Sequence, residues 1–131
     1  MPLGCVMLYV QARRAIAENE AIMGYRSDVA LVIKSDDYKE LISNHISSET
    51  IKEVISWGQF SEKEEAVLVR WEYIKWYGDK ISAFNKAIES IDHENWRLVK
   101  IGEMQSDIDE NGEYYDNPFN LGVSVSLSID Y

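Results

Sequence analysis

Cysteine occurs once in this chain of 131 residues, at Cys5, and histidine twice, at His45 and His93. One thiol cannot close an internal disulfide, and without a Cys/His cluster the usual zinc sites are excluded. No apolar run approaches the roughly 18–20 residues that a membrane helix needs. The apolar stretch 3–10 (LGCVMLYV) comes before Arg13 and Arg14, the reverse of the charge order in a secretory signal, and no small-residue cleavage site is obvious. A reducing, cytoplasmic setting is therefore expected. Also missing are a Gly-rich phosphate loop, a nucleophile elbow and a basic–aromatic stripe, the usual signatures of nucleotide hydrolysis, acyl transfer and nucleic-acid binding. His45 falls on an apolar helical stripe and His93 in the polar turn IDHEN. Neither is set beside a Ser, a Cys or the other His, so packed or solvated roles suit both. The expectation is a non-catalytic protein without cofactor or metal.

Basic residues are absent after Lys100, whereas Glu103, Asp107, Asp109, Glu110, Glu113, Asp116 and Asp130 all follow it. The whole chain carries 23 acids against 13 bases, a formal charge of −10. A surface of this sign repels nucleic acid and anionic lipid and attracts basic partners. Direct nucleic-acid or membrane binding is not expected. The plainer alternative is that acidity only keeps a small protein soluble.

What is present is ample core material: apolar residues make up 46% of the chain, with four Trp and eight Tyr. A domain of this length buries roughly two-thirds of its unfolded surface without staples. Residues 1–22 have a weakly patterned texture, compatible with a short helix through QARRAIAENEAIM, and the clean pattern starts at Met23-Gly24. Met23 is thus a candidate natural start, with residues 1–22 an extension or helix and 23–131 a single domain. Val29, Leu31 and Ile33 alternate with Ala30 and Val32, which reads as a central strand apolar on both faces. Ser35 opens a helix, Asp36 and Asp37 favouring its positive end, with Tyr38, Leu41, Ile42, His45 and Ile46 on one stripe. Ser47-Ser48-Glu49 opens a second, with Gly58 placed to end it. SEKEE breaks the pattern before the β-branched and aromatic run AVLVRWEYIKWY, the principal strand, with Val67, Val69, Trp71 and Tyr73 on one side. Gly78-Asp79 leads into a helix with Ile81, Phe84, Ile88 and Ile91 inward. WRLVKI is a third strand and the strictly alternating LGVSVSLSIDY a fourth, joined by an acidic connection. The order predicts an α+β fold: a small, largely antiparallel four-stranded sheet with helices packed on one face.

Several places could carry chemistry. Asp107-x-Asp109-x-Asn111-Gly112 matches the first half of a calcium loop, but Pro118 stands where the bidentate Glu should be. The alternative is a turn, since Asn111-Gly112 is a strong type I′ signal. Glu72 and Glu103 could face each other across neighbouring strands, although a strand Glu more often serves an ion pair. Trp71, Tyr73, Trp76 and Tyr77 could form a sugar- or base-stacking platform, with a core role favoured. Tyr114 and Tyr115 lie within the acidic connection and combine contact area with charge, which suits protein recognition. The candidate partner-binding set is Glu103, Asp107, Asp109, Glu110, Glu113, Tyr114, Tyr115 and Asp116, carried outward by the turn at Asn111-Gly112.

The segments MGYRSDV (23–29), WEYIKWY (71–77) and IGE (101–103) resemble a loose group of small bacteriophage and prophage proteins without assigned chemistry. The resemblance covers about residues 23–131. It implies an accessory phage protein that acts in the host cytoplasm and disarms a host defence system. Small acidic phage proteins, anti-CRISPR proteins among them, often act as stoichiometric inhibitors by occupying basic surfaces meant for nucleic acid. The expected partner is thus a host protein with a basic, nucleic-acid-binding surface. The alternatives are an immunity or antitoxin-type inhibitor, and a calcium- or metal-binding module built on the Asp107 loop.

Overall fold

The structure is a computed structural model in which residues 6–9, 25–104 and 107–124 are described. Along the chain run β1 (Val6–Tyr9), β2 (Ser27–Lys34), α1 (Ser35–Asn44), α2 (Ser48–Ser56), β3 (Gln59–Lys63), β4 (Ala66–Ile74), α3 (Asp79–Glu89), a 3-10 turn at His93–Asn95, β5 (Trp96–Ile101), β6 (Ile108–Asn111) and β7 (Leu121–Ser124). β3, β4, β2, β5 and β6 form one antiparallel sheet in that order. The fold is α+β, with the helices on one face of the sheet.

The two runs richest in β-branched residues become two of the three inner strands, β2 and β4, because only a strand flanked on both edges and covered on both faces can bury such a sequence. Val29, Leu31 and Ile33 of β2 face the helices and join Val67, Val69, Trp71, Leu41, Ile51, Val54, Phe84 and Ile88 in the larger core. Ala30 and Val32 point the other way, onto Leu68, Val99 and Ile101, and this second layer is closed by Phe119 and Leu121. The segment after β6 therefore does for one face what the helices do for the other.

Trp71 knits the helical layer to the sheet. Its indole N–H donates to the carbonyl of Val54 at 2.8 Å, its ring lies 4.7 Å from Trp76, and it meets Phe84 edge-on at 5.7 Å. Gly58 makes this possible. A side chain there would approach the Arg70 carbonyl and the Trp71 indole nitrogen to 2.8–2.9 Å, so only glycine lets the link from α2 to β3 lie flat on β4.

The structure adds to the expected sheet and rearranges its ends. Gln59–Lys63, overlapping what reads as a polar break, is an edge strand on β4; only Phe60, against Tyr38, has an aromatic neighbour, so no alternation marks it. Ile108–Asn111, within the acidic connection, pairs with β5 as the opposite edge. The final strand does not join this sheet: Leu121–Ser124 pairs in parallel with Val6–Tyr9. Its continuation through 125–131 and the helix expected over 11–23 lie outside the described residues. α1 stops at Asn44, so His45 and Ile46 are not on its stripe; the chain turns there, with the Ser48 N–H on the His45 carbonyl, and Ile46 is exposed. Tyr73 does not share the Trp71 face. The pairing slips between Ser27 and Val29, Tyr73 adopts φ +52°, and the buried Asp28 carboxylate takes the freed Tyr73 N–H at 2.8 Å, as a β-bulge requires.

Trp71→Ala should lower stability by about 3–5 kcal/mol, the usual loss for a buried aromatic. Urea unfolding followed by circular dichroism measures it, and an unchanged midpoint would remove Trp71 from the core.

Candidate functional site

The acidic connection begins as a tight return. The Gly102 N–H donates to the Asp107 carbonyl at 2.8 Å and the Asp107 N–H to that of Met104 at 2.9 Å, which sets Ile108 opposite Ile101 and Asn111 opposite Leu98. Asp109 and Asn111 therefore lie on an extended strand, where alternate side chains are about 7 Å apart instead of converging on one ion. Asn111-Gly112 is not an outward hairpin turn either. Gly112 takes φ +85° and packs against the Trp96 backbone, where a side chain would collide. The Glu113 N–H then reaches the His93 carbonyl at 2.7 Å and the Tyr114 N–H that of Trp96 at 3.1 Å. The chain folds inward over the sheet.

Several of the carboxylates expected to meet a partner are engaged within the molecule. Glu103 is buried and accepts the Arg26 N–H at 3.1 Å. Asp107 accepts the Tyr25 hydroxyl, which itself accepts the Met104 N–H at 3.3 Å. Asp109 pairs with Lys100 at 3.2 Å, and Glu110 pairs with Arg97. Arg97 is 8% exposed; it also donates to the Gly112 carbonyl at 3.4 Å and stands 4.7 Å over the Tyr115 ring. Glu113, Tyr115 and Asp116 remain exposed. Glu72 and Glu103 do not form a pair, since β2 runs between their strands.

Asn117 seats the segment leading into β7. It is buried, its amide donates to the Tyr114 carbonyl at 2.8 Å, and its side-chain oxygen accepts the N–H groups of Phe119 and Leu121 at 3.1 and 3.2 Å. Tyr114 is thereby pressed against the second core layer, with the Lys34 ammonium 5.6 Å from its ring.

The denser acidic surface lies around Tyr114 and draws on residues far away in sequence. Asp36 and Asp37 from the first turn of α1 and Glu62, Glu64 and Glu65 from the β3–β4 hairpin line, with Tyr114, a depression of about 660 Å³. Glu64 has φ +56° at the hairpin tip. Burial, then Glu65, Asp116 and Glu64, push the Tyr114 hydroxyl above its ordinary value. Tyr38, beside the same hairpin, is raised by burial and by Glu62. Lys34 and Lys39 are the cations of this depression. Its acids were missed because SEKEE reads as a break and Asp36-Asp37 as a helix start; the charge run itself was the available signal. Among the described residues, no three His, Cys, Asp or Glu side chains are placed to hold a metal together, and no helix is long and apolar enough to cross a membrane.

No protein-family model, curated protein or solved structure matches this chain. Its geometry offers a charged surface depression with Tyr114 among its acids.

Two expectations concern the framework of this surface. Arg97→Met should cost about 1–3 kcal/mol, because a nearly buried cation with several partners is lost, whereas Glu110→Gln should cost under about 1 kcal/mol because its carboxylate is half in water. Urea midpoints of the two variants give the comparison, and equal losses would contradict it. The raised hydroxyls of Tyr25, Tyr38 and Tyr114 bind their protons more tightly folded than unfolded. Their contribution is complete below the unfolded value near pH 10 and is lost as pH rises through the folded values. Tyr38→Phe with Tyr114→Phe should flatten the alkaline loss of stability, measured as urea midpoints from pH 8.5 to about 11.

Proposed function

We propose that this protein is a non-catalytic inhibitor that docks an acidic surface onto the basic, nucleic-acid-binding surface of a host protein and blocks a host defence system, as anti-CRISPR proteins do. The observation that carries this reading is the gathering of Asp36, Asp37, Glu62, Glu64 and Glu65 around Tyr114. Hairpin and helix terminus are both anchored to the sheet, as when the Ser35 N–H meets the Glu65 carbonyl at 2.8 Å, so the charges are held in place before a partner arrives. Preorganised carboxylates standing in for phosphates speed association and compete with nucleic acid for the same cations. The phage-like segments supply the biological setting. The docking surface is centred on the β3–β4 hairpin and Tyr114, because Glu103, Asp107, Asp109 and Glu110 are engaged internally.

The test isolates the partner from host lysate with tagged protein and then measures affinity against salt. Converting Glu62, Glu64 and Glu65 together to Gln should leave the fold intact, slow association and weaken binding by about tenfold at low salt, with a flatter salt dependence. A folded variant that binds with unchanged affinity and salt dependence would refute the assignment.

A further inference from the structure

On the helical side of the sheet, α3, β5 and β6 enclose a cleft of about 200 Å³. Its floor is apolar: Trp76 from the link between β4 and α3, Ile88 from α3, and Trp96 and Leu98 from β5, all buried. Its rim is polar and of mixed sense. Asn85 and Glu89 stand one helical turn apart on α3. Across from them, Lys100, Asp109 and Asn111 lie on one face of paired β5 and β6, where Leu98 is opposite Asn111 and Lys100 opposite Asp109.

The pairing state of the rim decides what it can hold. Lys100 and Asp109 neutralise each other at 3.2 Å. The side chains of Asn85, Glu89 and Asn111 make no hydrogen bond to another described residue. Two carboxamides and an ammonium supply donors, while the carboxamide oxygens and two carboxylates supply acceptors, all above indole and aliphatic carbon. A guanidinium or amine offers only donors and would leave the amide NH2 groups without an acceptor; an anion would meet Glu89. Hydroxyls both donate and accept, and a sugar ring adds a C–H face that an apolar floor can cover. The volume lies below the roughly 300–1,000 Å³ of drug-sized sites, which limits the occupant to one small ring.

We infer that this cleft binds a single neutral sugar ring, either a free monosaccharide or the terminal residue of a glycan. One C–H edge of the ring meets the small exposed parts of Trp76 and Trp96, with Asn85 and Asn111 gripping its hydroxyls from opposite sides. None of these residues belongs to the acidic docking surface, so the site stands or falls separately from the inhibitor reading.

Heteronuclear NMR tests this directly. The indole N–H of Trp96, which donates to the Ile91 carbonyl at 3.2 Å, and that of Trp76 are followed while glucose, galactose, mannose, N-acetylglucosamine and their methyl glycosides are added. At least one sugar should give a saturable shift with a dissociation constant on the order of 1 mM. Asn85→Ala and Asn111→Ala should each weaken it by about fivefold or more, with the circular dichroism spectrum unchanged. Binding of methyl glycosides as well as free sugars assigns the site to a glycan terminus, and loss of binding on methylation assigns it to a free monosaccharide. Absence of a saturable shift for every sugar, shifts indifferent to both Asn variants, or saturation by arginine amide or inorganic phosphate instead, would each overturn the inference.

Discussion

A strand apolar on both faces is stable only between two covers, and β2 imposes that condition on the rest of this molecule. Val29, Leu31 and Ile33 demand the helical layer; Ala30 and Val32 demand a second one. Among the described residues three helices are available, and they all go to one side. The other side is closed by an irregular segment whose backbone groups need partners wherever they are buried. Asn117 supplies several of them at once, which is why a single amide can hold Phe119 and Leu121 in place.

Charge is arranged by the same economy. In so acidic a chain, cations are scarce, and Arg97 and Lys100 are used to secure the hairpin that leads into the second layer. Carboxylates opposite them become structural. Those at the β3–β4 tip and the start of α1 have few cations close by, and their repulsion is tolerable because a helix N-terminus and a solvated hairpin accept negative charge. The location of the acidic face is therefore a consequence of where the basic residues are committed.

Much of this could be read in the amino-acid sequence, and the failures have a common cause. β2, β4, β5 and the helices were legible because each buries a periodic face, and periodicity is visible in one dimension. β3 and β6 are edges that pack on one flank only, so QFSEK and IDEN carry charge where a pattern would be sought. The bulge at Tyr73 depends on Asp28, which is adjacent only once β2 and β4 have paired. Composition pointed to the carboxylates of the tail, but it cannot tell which of them find an Arg97 or a Tyr25. The cleft beside α3 needed Trp76 and Trp96 brought to one place from separate segments, and only the first had drawn notice as an aromatic platform.

The closure of the second face by an irregular strap has a consequence for how the molecule breathes. Helices covering β2 share a large interlocked core around Trp71, whereas the strap rests on Phe119, Leu121 and the Asn117 amide, between Gly112 at one end and β7 at the other. Among the described residues, opening on that side parts the smaller of the two apolar clusters and leaves the helical layer intact, so amide protons on the two flanks of the sheet are expected to exchange with different free energies. Ala30, Val32, Leu68 and Val99 are the core residues that such an opening would bring to water.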